Sequence, residues 1–415
     1  MASKHSERAD NTALSAELLE LLDVVEPGVV GDMLLQRAFS HGATDVHLDA
    51  VPAGIRIRFR IDGALRDIIP VPAAKASTIL SRIKVLADMD IPERRLPQDG
   101  RISSTQLDGV SRDIRVGTSP TIYGERIVLR MMPDPKDFTS LESLGFYEDQ
   151  LQQIVQLLEV PYGLVLVVGP VGSGKTTTVY NFLQQLLRPD SSVVTIEDPV
   201  ERRIPGTNQI QIDNKAGLSF ATALRGVLRQ DPNVMCVGEI RDSETALIAS
   251  RAAMTGVLVL STLHANDTAS AIDVLRQFGV PSMAIADSLR GVISQRLIRC
   301  VCRESRREII PDESCREQLK LSPEDSETRI IEGVPADINF QTGYSGRVAV
   351  FETMVVGRSL RQAIHRDAAA YEIRDAAIQD GMLSLEEAAR RRVLDHTTSM
   401  GELRRIVLDQ VLDVV

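Results

Sequence analysis

An α/β protein is predicted: a doubly wound, mostly parallel sheet in the larger part of the 415-residue chain, a smaller α+β domain before it and a helical C-terminal region after it. Three observations point there. Apolar, strand-like runs at 164–168, 193–196, 235–237 and 257–261 alternate with helical patterns, as the strands of a parallel sheet joined by helices do. The first run passes directly into Gly169-Pro170-Val171-Gly172-Ser173-Gly174-Lys175-Thr176, a G-x-x-x-x-G-K-S/T segment, after which Val179, Phe182, Leu183 and Leu186 recur at helical spacing. Upstream, residues 55–61 alternate apolar side chains with arginine at period two, the pattern of a strand with one buried and one charged face.

Taken in order, residues 1–27 read as a polar tail with a short amphipathic helix carrying Leu14, Leu18, Leu21, Leu22 and Val25. That helix is either a docking element or a helix packed on its own neighbouring domain. Residues 28–133 form the small α+β domain. Its expected elements are the strand at 55–61 with the turn Asp62-Gly63, a helix over 73–88, and strands at 110–116 and 126–131, the last entered through the turn Tyr123-Gly124. Arg56 and Arg58 are read as a solvated face. The Pro- and Ser-bearing stretch 134–145 is expected to be a hinge linker. Residues 146–415 make up the doubly wound domain, with an insert at about 300–342 and C-terminal helices signalled at 381–391 and by the capping box Ser399-x-x-Glu402.

Bulk properties exclude several classes. With 47 basic against 57 acidic residues the formal charge is -10, which offers no global field for gripping nucleic acid and disfavours a DNA motor. The four cysteines, Cys236, Cys300, Cys302 and Cys315, form neither a CxxC pair nor a disulfide scaffold, so a reducing cytoplasm is expected. Residues 1–10 lack the apolar core of a signal peptide, and no apolar run approaches the ~20 residues that span a bilayer. Membrane association is therefore expected to come through a partner.

The glycine-rich segment sits where a phosphate loop must sit, between a buried strand and a helix. Glycines let backbone N–H groups approach an anion closely, and the helix N-terminus adds positive field. Gly169 to Thr176, with the adjoining Thr177, is thus a candidate nucleotide-binding loop, Lys175 reaching the outer phosphates and Thr176 a magnesium ion. A second apolar strand ends at Gly238-Glu239, placing Glu239 to orient an attacking water; pairing with the adjacent Arg241 is the alternative role. Thr195-Ile196-Glu197-Asp198-Pro199-Val200-Glu201 sets Glu197, Asp198 and Glu201 at another strand end, as part of a magnesium and water network or as solvated surface. His264, in Ser261 to Asp267, ends a further strand and is a candidate sensor of the terminal phosphate.

Together these segments resemble the traffic ATPases of type II secretion and type IV pilus assembly, a group of additional-strand RecA-like secretion ATPases. The phosphate loop, the acidic box at 195–201, Leu228-Arg229-Gln230-Asp231-Pro232 running into Gly238-Glu239-Ile240-Arg241-Asp242, and the histidine box at 261–267 occur in the family's order. Upstream, Thr44-Asp45-Val46-His47, Phe59-Arg60-Ile61-Asp62-Gly63 and Arg95-Leu96-Pro97-Gln98-Asp99-Gly100-Arg101 are similar to its preceding, PAS-like domain. The resemblance implies a cytoplasmic homohexamer that hydrolyses ATP with Mg2+ and works through an inner-membrane platform and accessory proteins, without nucleic acid. It further implies that Arg115 and Arg130, with Arg225 and Arg229, approach the phosphates as permanently charged forks. The function implied is powering pilus or pseudopilus assembly or type II secretion; a retraction motor of the same superfamily, or an ATP-binding assembly factor with little turnover, are the alternatives.

The family's assembly and secretion branch usually binds zinc through two CxxC pairs ahead of a Gly-Tyr-x-Gly-Arg segment. Here Gly343-Tyr344-Ser345-Gly346-Arg347 is kept, but the aligned positions hold Cys302, Ser305, Ala336 and Asn339. One thiolate cannot close a four-ligand zinc site. No structural zinc is expected, and elemental analysis of the purified protein should find well below one zinc per chain; about one tightly held zinc would overturn this.

Overall fold

The computed structural model describes residues 13–103, 113–132 and 140–412. The tail at 1–12, the start of the strand expected at 110–116 and residues 134–139 of the expected hinge lie outside the described residues. The chain divides into two compact units, the first comprising the residues up to Asp137 with Cys302–Arg306 and Gly333–Gly346, the second comprising Phe138–Val301, Arg307–Glu332 and Arg347–Val415.

In the first unit, α1 (Ala13–Val24) and α2 (Pro27–Ser40) lead into β1 (Asp45–Val51), β2 (Gly54–Ile61) and β3 (Ala64–Pro72). Then follow α3 (Ala73–Leu86), β4 (Gln98–Ile102), β5 (Ile114–Thr121) and β6 (Gly124–Met131). The strands form one sheet in the order β3-β2-β1-β6-β5-β4, with antiparallel pairing throughout. Period-two alternation sends Ile55, Ile57 and Phe59 of β2 into the core. Leu14, Leu18 and Leu22 of α1, spaced four apart, enter that same core, so the N-terminal helix packs on its own domain.

The opposite face of this sheet is an ion-paired lattice. Asp49 Oδ2 accepts from Arg58 at 2.7 Å and Asp49 Oδ1 accepts from Arg126 at 2.7 Å, while Asp45 lies 3.4 Å from Arg60 and 3.5 Å from Arg130. Arg56 keeps only a long 3.7 Å pairing with Asp67 at half exposure, as a solvated residue would, whereas the Arg58 side chain is 22% exposed and paired. The charge alternation was legible, but the partners on β1 and β6 lie elsewhere in the chain.

The second unit begins with α4 (Glu148–Glu159), β7 (Gly163–Val168), α5 (Lys175–Leu186), β8 (Val193–Glu197) and β9 (Asn208–Gln211). It continues through α6 (Phe220–Val227), β10 (Val234–Val237), α7 (Ser243–Met254), β11 (Leu258–Leu263), α8 (Ser270–Gln277), α9 (Ser282–Ser288) and β12 (Leu289–Val301). A small pair, β13 (Arg306–Ile309) and β14 (Ile330–Gly333), flanks α10 (Glu313–Gln318). After β15 (Tyr344–Val355) come α11 (Arg358–His365), α12 (Ala370–Gln379), α13 (Leu385–Leu394) and α14 (Met400–Leu412). The main sheet runs β15-β12-β7-β11-β10-β8-β9, and β12, β7, β11, β10, β8 and β9 are mutually parallel. Leu164, Leu166 and Val168 of β7 join one core cluster while Val165 and Val167 join another, which is what a doubly wound sheet requires.

The insert departs from the expectation that residues 300–342 belong to the larger domain. Its ends, Cys302–Arg306 and Gly333–Gly346, group with the first unit, where Gly346 N donates to Asp62 Oδ2 at 2.9 Å and Phe340 meets the His41 ring edge-on at 5.5 Å. The buried Asn339 ties these ends together. Its Nδ2 donates to Ser305 Oγ at 2.6 Å and Val334 O at 2.9 Å, and its Oδ1 accepts from Ala336, Thr342 and Gly343 N–H groups at 3.0 Å each. Hydrogen bonds thus draw together the segments that carry the positions aligned with zinc ligands.

Lys84 of α3 and Glu125 of β6 form a 2.9 Å ion pair with side chains 1% and 3% exposed, and Lys84 Nζ also donates to Glu93 O at 2.6 Å. Breaking one side of such a pair strands a buried charge. Lys84→Met is expected to lower stability by about 3–5 kcal/mol in urea unfolding, and adding Glu125→Met should recover most of that loss.

Candidate active site

Parallel pairing brings the carboxyl ends of β7, β11, β10 and β8 to one edge, where ligands of open α/β sheets bind. From β7 the chain turns through Gly169, Gly172 and Gly174 at φ of 146°, 79° and 90°, a region that L side chains rarely adopt. At Gly169 a Cβ would also stand 2.5 Å from the carbonyl oxygen of residue 295, so the turn admits only glycine. Lys175 opens α5, and its Nζ donates to Gly169 O at 2.7 Å and Pro170 O at 3.0 Å, holding the ammonium over the loop. Burial pushes the Lys175 pKa down, opposed by the Glu239 carboxylate and reinforced by Arg296. Thr176 and Thr177 are half-buried in the first turn of α5, and Ser173 Oγ is buried with no hydrogen-bond partner among the described residues.

Facing them is the tip of β10. Ser261 Oγ donates to Val237 O and Thr262 Oγ1 to Gly238 O, each at 2.7 Å, so β11 fixes the backbone that presents Glu239. The carboxylate is gripped on both oxygens: His264 Nε2 lies 2.7 Å from Oε1 and Arg241 Nε donates to Oε2 at 2.6 Å. Arg241 also lies 3.7 Å from Asp198. The Arg241 pairing and the candidate catalytic role coexist, because each carboxylate oxygen has a second lone pair to offer a water.

The acidic box does not act as one group. Asp198 faces Arg241, but Glu197 is 5% exposed and turned inward, its carboxylate accepting from the Tyr180 hydroxyl, from Thr195 Oγ1 at 2.6 Å and from Gln209 Nε2 at 3.0 Å. Proposed from sequence as a nucleotide contact, Glu197 is engaged instead in shaping the turn, because its side chain alternates to the side of β8 where Thr195 and Tyr180 of α5 lie. Glu201 contributes its backbone N–H to Tyr180 Oη at 3.1 Å, beside that of Arg202 at 3.3 Å. Tyr180, on the second turn of α5, thereby fastens the acidic turn to the helix of the phosphate loop. Sequence reasoning missed it, and its only signal is a tyrosine on an otherwise apolar helix face.

Arg225, at the end of α6, pairs with Glu244 on α7, and Arg229 is exposed just beyond α6. Among the described residues neither makes a hydrogen bond or ion pair with the loop. Arg115 and Arg130 face each other in the register of β5 and β6 within the first unit, Arg130 63% exposed beside Asp45.

Residues 22–405 match the family described as Type II/IV secretion system protein. The chain belongs to that family. It is 41% identical over 396 residues to the type II secretion system protein HxcR of Pseudomonas aeruginosa, covering 95% of this chain and 80% of that protein. It is also 41% identical over 371 residues to the type IV pilus assembly ATPase PilB of Thermus thermophilus, covering 89% of this chain but 42% of the longer relative. Among solved structures, the ATPase DotB of Legionella pneumophila superposes with a TM-score of 0.68 at 21% identity, covering 92% of this chain and 95% of that one. The pilus retraction motor PilT with bound ADP gives a TM-score of 0.56 at 24% identity, covering 90% of this chain and 98% of its own. These structural likenesses bear on the fold alone, which is that of the RecA-like secretion ATPases.

Tyr180→Phe removes the hydroxyl that holds Glu197 and two backbone N–H groups. It is expected to cost about 1–3 kcal/mol of stability in chemical denaturation, since the bond to a buried carboxylate and those from two part-buried N–H groups are lost together.

Proposed function

We propose that this chain hydrolyses ATP as the motor subunit of a type II secretion or type IV pilus assembly machine, driving extension of a pilus or pseudopilus. The observation that carries the reading is the pairing, at one sheet edge, of a lysine-bearing phosphate loop with a Glu239 carboxylate fixed between His264 and Arg241. A nucleoside triphosphate fits this chain: glycine-only backbone opens the loop to phosphates, and the Ser173 hydroxyl is left for an outside acceptor. Lys175 balances phosphate charge, and Glu239 accepts a hydrogen bond from the attacking water and orients it. His264 and Arg241 hold that carboxylate at both oxygens, so the water is placed by a rigid acceptor.

Magnesium is the proposed cofactor, offering charge neutralisation at the phosphates when bound. The Thr176 hydroxyl and the Asp198 carboxylate are the hard oxygen donors proposed to hold it and its waters. Arg115 and Arg130 are the proposed stabilisers of phosphate charge in an assembled homohexamer, with Arg225 and Arg229 as further candidates. No helix among the described residues is long and apolar enough to cross a membrane. A cytoplasmic protein held at the inner membrane by platform and accessory proteins is the setting proposed from the family.

Turnover measured against rising protein concentration tests the reading, with Lys175→Ala as the blank. Glu239→Gln is expected to lower turnover roughly 10²- to 10⁴-fold while nucleotide affinity changes little. Undiminished turnover in Glu239→Gln would remove Glu239 from the mechanism. Lost turnover with unchanged secretion or piliation would favour the binding-factor alternative.

A further inference from the structure

Beside the phosphate strand β7 runs β12, whose last paired residue in parallel register is Ser294, opposite Val168. Gln295 therefore comes level with Gly169, where the loop begins. Its residue is 2% exposed, and its amide spans the loop from below. Nε2 donates to Ser173 O at 2.7 Å, and Oε1 accepts from Thr178 Oγ1, also at 2.7 Å. Thr178 is wholly buried on α5, so one side chain joins the loop apex to the helix that follows it.

Both ends of the amide are used, and only an amide supplies a donor and an acceptor at that separation. An ionised glutamate would set a buried negative charge against the Ser173 carbonyl, and methionine would leave that carbonyl and the Thr178 hydroxyl without partners. In a trans peptide the carbonyl and the following N–H point to opposite sides. Drawing Ser173 C=O toward β12 thus turns the Gly174 N–H away from β12, toward the open side of the loop. At Gly174 a Cβ would stand 2.8 Å from Gln295 Nε2, so the brace also requires the glycine at φ 90°. The neighbouring Arg296 donates through NH2 to Asn266 O at 2.8 Å, which extends the support to the loop after His264.

We infer that Gln295 is a positioning residue for nucleotide binding: it sets the Ser173–Gly174 peptide so that the Gly174 N–H is presented to a phosphate oxygen before the ligand arrives. The inference rests on the nucleotide-binding reading of the loop. Its effect belongs in affinity rather than in the hydrolytic step, because the bond is made to the loop and not to Glu239.

Binding of a fluorescent ADP analogue and steady-state ATP turnover, measured on the full chain, decide the matter. Gln295→Met keeps the volume and removes both polar groups; the dissociation constant and KM should rise about 10-fold or more, with kcat per active site within about threefold. Thr178→Val removes one of the two bonds and should raise the dissociation constant about two- to fivefold. A merely structural glutamine would lower melting temperature and active fraction while leaving the affinity of the active fraction unmoved. Affinity within about twofold of the parent in Gln295→Met overturns the inference, as does unchanged affinity in Thr178→Val should the methionine variant not fold. If the parent itself fails to bind the analogue, the nucleotide reading falls and this inference with it.

Discussion

The parallel register of β7, β11, β10 and β8 is the constraint from which the site follows. Each strand is buried on both faces, so a one-residue slip would exchange the two core clusters on either side of β7, and the register is correspondingly well determined. With it set, four strand ends deliver Lys175, His264, Glu239 and Asp198 to one edge without any of them being near the others in sequence. The hydroxyls of Ser261 and Thr262 then convert strand pairing into placement, each bonding a carbonyl at the tip of β10.

Electrostatics acts on that placement. Burial disfavours the charged form of Lys175, and Glu239 restores part of what burial removes. Glu239 in turn is held by His264 and Arg241 rather than left to rotate. Fixed charges of opposite sign in a partly water-excluded edge suit phosphoryl transfer, where positioning and charge stabilisation carry nearly all of the catalysis.

Elements with local signatures were legible in the sequence. The phosphate loop, the strand-end acid Glu239 and the histidine after β11 announce themselves by an apolar run followed by polar residues. What could not be read were partners supplied by distant segments. Glu197 has the same strand-end address as Asp198, yet one side-chain alternation separates them, and only the hydroxyls of Tyr180 and Thr195 reveal which of the two meets α5. β12 was missed because Ser294, Gln295 and Arg296 interrupt its apolar pattern; those polar residues are buried and satisfied by the loops they brace. Asn339 stood out only as a missing zinc-ligand position, and its role exists only once Ser305 and Val334 have been brought beside it.

β12 also shows why a brace placed there is effective. Its C-terminal half is clamped by the start of α14 and the turn before it: Arg299 bonds Glu402 through its backbone N–H at 2.9 Å and its guanidinium at 2.6 Å, and Thr398 Oγ1 donates to Arg299 O at 2.6 Å. Desolvation alone would raise the pKa of the wholly buried Glu402, but Arg405 and Arg299 outweigh it and hold the group below the usual carboxylate range. A charge kept ionised in the interior tolerates little displacement of its partners. Gln295 therefore ties the phosphate loop to a strand that is itself anchored at its far end, which favours a loop already shaped for its ligand.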